Sequence, residues 1–189
     1  MPVDETIRSL FPLVEGLPPI EEVLGDPEVA ARIQEFETDP GTYSAPSVAT
    51  RDIELIVGSH PFRARVYGTG SGDSPCLVWS HGGAFMAGDI DMNEADMVAR
   101  EVATRSGAVV LSVDYSLVPT VRFPVPHHQV MAAWSWADAN AASLGVDRRR
   151  ISLGGASAGA ALSLSAVRDL AQQGLAGPAA LVLVYPVAH

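Results

Sequence analysis

Ser157 lies in the run Gly155-Ala156-Ser157-Ala158-Gly159, after the apolar segment Ile151-Ser152-Leu153 and before a stretch, Ala158 to Gln172, that reads as a helix. A serine between strand and helix, with glycines two residues away on each side, fits a sharp turn that lifts its hydroxyl clear of the backbone. The turn demands very small neighbours, and the Ala158 amide at the helix N-terminus points where negative charge would collect. The chemistry implied is nucleophilic attack on a carbonyl carbon, with an oxyanion formed beside the helix. Taken alone the pattern is weak: a chain with 17 glycines meets it by chance, and a plain Gly-rich turn explains it equally well.

A second segment, His81-Gly82-Gly83-Ala84-Phe85, follows the buried strand Cys76 to Ser80. Consecutive small residues leave backbone amides open to a ligand, and such amides stabilise a tetrahedral oxyanion. An ordinary Gly-Gly turn explains the glycines but not their place after the third strand. A third segment, Asp114-Tyr115-Ser116-Leu117-Val118-Pro119, closes the next strand and is followed by Phe123-Pro124. It reads as structural: Asp114 anchors loops by hydrogen bonds and the prolines route the chain.

These segments need a scaffold. Apolar residues Ile7, Leu10, Phe11 and Val14 recur at helical spacing, and Gly16, Pro18 and Pro19 stop that helix. Asp26 and Pro27 start a second helix with Val29, Ile33 and Phe36 as its stripe. These helices either pack as a plain amphipathic pair or cover the site. A polar linker leads to the strands Asp52–Val57 and Phe62–Tyr67, joined by a turn at Gly58-Ser59-His60-Pro61. Strands and helices then alternate: a strand to Ser80, a helix Met92–Ser106, a strand Ala108–Val113, a helix Val130–Leu144, a strand Arg150–Leu153, a helix Ala158–Gln172 and a strand Ala180–Tyr185. The fold class is therefore α/β, a mostly parallel sheet with helices on both faces. The division expected is 1–50 for N-terminal helices and linker and 51–189 for the catalytic fold.

Composition narrows the functions. The chain of 189 residues carries a net charge of -10, which argues against nucleic acid and anionic membrane as partners. Its single cysteine, Cys76, forms no intrachain disulfide and opens an apolar run, so it reads as a buried small hydrophobe. No apolar run approaches the ~20 residues needed to span a bilayer, and the N-terminus lacks a signal peptide's basic start and apolar core. A cytoplasmic location is the simplest expectation. Asp89, Asp91, Asn93, Glu94 and Asp96 only loosely resemble a calcium loop, lacking its glycine and closing glutamate, and read as a solvated helix start. No metal or organic cofactor is implied.

Taken together the three segments resemble the hormone-sensitive-lipase-like carboxylesterases, which include the arylacetamide deacetylases, on the α/β-hydrolase fold. That family carries a His-Gly-Gly-Gly/Ala loop, an Asp-Tyr-Arg-Leu-Ala-Pro-Glu segment and a Gly-Asp-Ser-Ala-Gly elbow, in the order seen here. The resemblance implies that Ser157 is the acyl-accepting nucleophile, that amides of Gly82, Gly83 and Ala84 join Ala158 in an oxyanion hole, and that the N-terminal helices form a cap. It implies a small-molecule ester substrate with a short or medium acyl group. The chain departs from the family in Ala156 for the usual Asp, Ser116 and Thr120 for the usual Arg and Glu, and Ala84 where many members have Gly. The methyl of Ala84 is tolerable unless that residue needs a positive φ.

In this fold the order is Ser, then an acid, then His, supplied by two later βα units of on the order of 60 residues. Only 32 residues follow Ser157, filled by one helix and one strand. Asp169, on the solvent face of that helix, and His189 are poor candidates; His60 in a turn, His81 in the Gly-Gly loop, and His127 and His128 at a helix start are no better. The expectation is a C-terminally truncated hydrolase, with its C-terminal strands missing. The strand 181–185 is then an apolar edge that favours self-association or a complementing segment. The rival readings are a catalytically incomplete fragment or non-catalytic ligand-binding module of the same fold, and a peptidase or amidase on it.

Overall fold

The computed structural model describes residues 3, 5–19, 26–37 and 43–187, and the predicted His189 lies outside them. The chain divides into two units, one up to Ser44 and one from Ala45. The division precedes the expected boundary at residue 50 because Val48 packs with the sheet's core and Ala49 accepts the Gly68 N–H at 2.9 Å.

The first unit holds α1 (Glu5–Val14) and α2 (Pro27–Glu37). Asp26 caps α2 as expected: its carboxylate accepts the N–H groups of Glu28 at 2.9 Å and Val29 at 3.3 Å. Arg32 of α2 donates to the carbonyls of Leu13, Pro12 and Glu15, which the end of α1 leaves without helical partners.

The second unit is a six-stranded sheet of β1 (Thr50–Val57), β2 (His60–Tyr67), β3 (Ser74–Ser80), β4 (Val109–Asp114), β5 (Val146–Ala156) and β6 (Leu181–Val184), in the order β1-β2-β4-β3-β5-β6. The β1–β2 hairpin and the β2–β4 pair are antiparallel; β4, β3, β5 and β6 run parallel. The hairpin turn is only Gly58-Ser59, so His60 and Pro61 belong to β2 and pair with Val57 and Ile56. His60 is therefore a strand residue, not a turn residue.

Strand alternation sorts the core into two faces. On one face Leu77, Trp79, Val110 and Tyr67 pack against Ala99 and Ala103 of α3 (Asn93–Ser106). On the other, Val78, Leu111, Val113 and Leu153 pack against α4 (Val125–Ala139) and α6 (Ala158–Gln172). Helix α4 begins five residues before the Val130 expected from periodicity, and a short α5 (Ala141–Leu144) follows it. Pro126 lies in its first turn, where a missing N–H leaves no bond unmade. Ser80, Val113 and Gly155 stand level across β3, β4 and β5. The three segments singled out by sequence thus emerge together at the carboxyl edge of the parallel strands, the edge where α/β sheets place their sites.

Candidate active site

Ser157 is the hinge between β5 and α6. Its backbone sits at φ 48°, ψ −113°, a region that non-glycine residues rarely occupy and that persists only where the surroundings hold it. Its N–H donates to Val184 O of β6 at 2.9 Å, and its carbonyl accepts the Ala161 N–H at 3.1 Å. Ser157 is partly exposed, whereas Ala156 and Ala158 are buried. Both flanking glycines are required by packing. A Cβ on Gly159 would stand 2.0 Å from Ser80 O, and one on Gly155 would stand 2.5 Å from the same atom.

The Gly-Gly loop lies beside this turn: a Cβ on Gly82 would be 3.6 Å from Ser157 Cβ. Three successive residues, Gly83, Ala84 and Phe85, have positive φ of 110°, 53° and 64°. Ala84 therefore does occupy the conformation in which its methyl is a burden. The turn closes on Gly83 O, which accepts the N–H groups of Met86 at 3.0 Å and Ala87 at 2.9 Å.

The loop is bolted from three sides. Glu94, in the first turn of α3, accepts the Gly82 N–H at 3.0 Å and the Trp79 indole N–H at 3.2 Å. Tyr115 donates its hydroxyl to His81 O at 3.0 Å and Gly82 O at 3.3 Å, and its ring stacks on His81 with centroids 4.3 Å apart. The Val118 N–H reaches Phe85 O at 2.9 Å. The Gly82 amide is thus engaged by Glu94 and is withdrawn from the expected oxyanion set. The amides of Gly83, Ala84 and Ala158 donate to no protein acceptor among the described residues.

The other candidates are placed as follows. His81 is fully buried; its Nδ1 lies 2.6 Å from Gly82 O and so carries the proton, and burial holds its pKa below the usual 6.5. It is a neutral member of the loop's frame. His127, also buried, pairs through Nε2 with Asp169 at 2.8 Å, so Asp169 faces α4 rather than solvent alone. Along a helix rising roughly 1.5 Å per residue, Asp169 is about 18 Å from Ser157. His128 is exposed on α4. Cys76 is buried, and burial pushes its thiol up to about 12, as suits an inert core residue.

Asp114, expected to anchor loops, ties two strands instead: it accepts from Arg63 of β2, its register partner, at 3.0 Å. Where the family pattern has Arg, Ser116 is held by neutral contacts: its N–H donates to Gln129 Oε1 at 2.7 Å, and Gln129 Nε2 donates to its hydroxyl at 2.8 Å. The acidic run after the loop is not merely a solvated helix start. Asp91 bridges Arg63 at 2.9 Å and Arg65 at 2.6 Å, Asp96 accepts the Tyr67 hydroxyl at 2.9 Å, and Glu94 holds the loop. The sequence reading missed Glu94 and Gln129; an acid in a helix's first turn was the signal available for Glu94.

Beside the loop lies a cavity of about 350 Å³, whose walls include Ala84, Phe85, Met86, Val118, Phe123 and Leu162.

Comparison with known proteins agrees with this geometry. Residues 77–189 match the family model described as the alpha/beta hydrolase fold. The chain is 32% identical over 165 residues to ethyl acetate hydrolase of Pseudomonas putida, covering 85% of this chain and 49% of that protein. It is 36% identical over 116 residues to versiconal hemiacetal acetate esterase of Dothistroma septosporum, covering 59% of this chain and 35% of that one. Among solved structures, an ester hydrolase from the metagenome of Lake Arreo superposes with a TM-score of 0.81 at 30% identity, over 100% of this chain and 61% of the other. A hyperthermophilic esterase from the archaeon Pyrobaculum calidifontis does so with 0.79 at 30% identity, over 99% and 60%. The chain thus spans about half the length of the curated relatives it matches. It belongs to the α/β-hydrolase fold family, among the hormone-sensitive-lipase-like members.

Proposed function

We propose that this protein is a carboxylic ester hydrolase acting by acyl transfer to Ser157. The observation that carries the reading is the strained Ser157 turn at the N-terminus of α6, set beside the unengaged amides of Gly83, Ala84 and Ala158. In this reading Ser157 Oγ attacks the ester carbonyl carbon, and the carbonyl oxygen takes the developing charge against those three N–H groups and the helix terminus. The alcohol leaves, and water then releases the acid. Three of the described histidines are committed elsewhere, His81 to the loop frame, His127 to Asp169 and His60 to the far hairpin, and His128 is exposed on α4. The general base and its acid partner are therefore assigned to residues outside those described. At the sheet edge, Val182 and Val184 of β6 are exposed.

The same β6 edge supports self-association as a way to cover it. Among the described residues no helix is long and apolar enough to cross a membrane. A cytoplasmic site of action on small-molecule esters belongs to the same reading. The N-terminal helices are read as a cap.

The test is p-nitrophenyl butyrate hydrolysis by the purified protein and its Ser157→Ala variant. Turnover should fall by about 10⁶-fold, as in related triads that lose the nucleophile. A rate that survives Ser157→Ala sinks the reading. Rates at background for both proteins favour the alternative, a catalytically incomplete fragment or a ligand-binding module of the same fold.

A further inference from the structure

The segment that joins the Gly-Gly loop to α3 meets that loop twice. At Gly88 it passes so close that a Cβ would stand 2.8 Å from His81 Nδ1 and 3.1 Å from Gly82 O. At Glu94 it returns, and the carboxylate takes the Gly82 N–H at 3.0 Å. Where Glu94 stands depends on the first turn of α3, and that turn is weakly fixed from within. Its N-cap residue, Met92, makes no side-chain cap hydrogen bond. The helix packs on the sheet through Ala99 and Ala103, small side chains that offer few contacts to resist sliding along the axis.

Polar ties supply the grip. Tyr67 of β2 donates its hydroxyl to Asp96 at 2.9 Å. Asp89 accepts the N–H groups of Asp91 at 2.8 Å and Met92 at 3.0 Å, which shapes the entry turn locally. Asp91 ties that turn to the sheet: one of its oxygens accepts from Arg63 at 2.9 Å and the other from Arg65 at 2.6 Å. Both arginines are themselves held by their register partners. Arg65 meets Asp52 of β1 at 2.6 Å, and Arg63 meets Asp114 of β4 at 3.0 Å. The sheet thus presents two preset guanidinium groups to one carboxylate.

Resting on the esterase reading, we propose that Asp91 is a positioning residue for the oxyanion hole: clamped by Arg63 and Arg65, it holds the first turn of α3 so that Glu94 engages Gly82 and the loop keeps its Gly83 and Ala84 amides free. Asp91 acts through Glu94 and touches no substrate. The clamp is ionic and stands partly in solvent, with the Asp91 side chain 52% exposed, so salt reaches it. Ionic strength thereby acts on the active-site loop through a residue outside that loop.

The experiment measures amide hydrogen exchange at Gly82 in the ¹⁵N-labelled full chain, with Val78 and Leu111 of the buried strands as internal references. Asp91→Asn keeps the side chain's size and leaves Asp52 and Asp114 to balance the two arginines, so no cation is left unpaired. It should speed Gly82 exchange about fivefold and leave Val78 and Leu111 unchanged. In the unmodified protein, raising sodium chloride from about 0.05 to about 1 M should speed Gly82 in the same sense, and in Asp91→Asn the salt effect should vanish. In a Glu94→Ala background, Asp91→Asn should add nothing. In p-nitrophenyl butyrate hydrolysis, Asp91→Asn should lower kcat about fivefold with KM unchanged. The proposal is overturned by Gly82 exchange that ignores Asp91→Asn, by salt sensitivity that is equal with and without the carboxylate, or by an Asp91→Asn effect that persists without Glu94. The two readings fail separately. Gly82 exchange that follows Asp91 without Ser157-dependent hydrolysis leaves the clamp and removes the esterase, whereas Ser157-dependent hydrolysis whose kcat ignores Asp91 removes the clamp alone.

Discussion

The Ser157 turn and the Gly-Gly loop both hold backbone at positive φ, yet they are held by different means. The turn is shaped mainly by contact and closed by one backbone bond, from Ser157 N–H to Val184 O. Gly155 and Gly159 press against Ser80 O with no room for a methyl group, and the neighbouring alanines are buried. The loop has one such contact, a Cβ on Gly83 standing 2.0 Å from Ala87 O, but it is otherwise held by hydrogen bonds reaching in from distant elements: Glu94 on α3, Tyr115 at the end of β4 and Val118 beyond it. Steric locks are rigid and tolerate no added atom. Hydrogen-bonded locks tolerate substitution better but leave buried polar groups unpaired when one member is lost.

The comparison makes ordered predictions. Gly159→Ala should be the most damaging change, costing about 3 kcal/mol or more, because the new methyl meets backbone that cannot swing aside. A lower midpoint in urea denaturation, or failure to fold, is the expected result. Glu94→Ala comes next. It leaves the Gly82 N–H and the Trp79 indole N–H without acceptors, at about 2–3 kcal/mol in the same denaturation experiment, and Glu94→Gln should recover part of that. If the order of these two is reversed, the distinction between a packed and a bonded lock is wrong. The smallest effect has the opposite sign. Ala84→Gly removes a left-handed alanine at φ 53°, and the relieved strand-to-turn backbone should gain roughly 0.5–1 kcal/mol after the added flexibility of the unfolded chain is counted.

The same contrast explains what could be read from sequence. The Ser157 turn was legible because its determinants lie within five consecutive residues, Gly155 to Gly159, and glycine spacing reports steric need directly. The Gly-Gly loop was legible as a loop, but its supports were not. Glu94 is separated from Gly82 by most of a connecting segment, and its neighbours Asp89 and Asp91 made it look like one more solvated acid. Once folded, Asp91 faces two arginines of β2 and Glu94 faces the loop, an arrangement that depends on β2 and β3 occupying one sheet. Within the Gly82-Gly83-Ala84 stretch, where Gly83 and Ala84 were the favoured donors, the Gly82 amide is engaged for this reason: which of three adjacent amides is free is decided by a carboxylate from another element. The expected start of α4 at Val130 came from apolar periodicity alone, which does not extend back through Pro126, although a proline in a first helical turn breaks nothing. The His127–Asp169 pair was invisible because it joins two helices whose crossing no local pattern encodes.

The bond from Ser157 N–H to Val184 O sets an order of events. A protein emerges from the ribosome from its N-terminus, and its earlier parts can begin to fold while later ones are still being made. The serine, both glycines and the whole Gly-Gly loop are synthesised before the strand that carries Val184. Until that strand arrives and aligns Val184 with Ala156, the Ser157 amide lacks its acceptor and the turn is not yet fixed. The nascent chain therefore carries Ser157 in an unset turn, and the late strand acts as the latch that closes it.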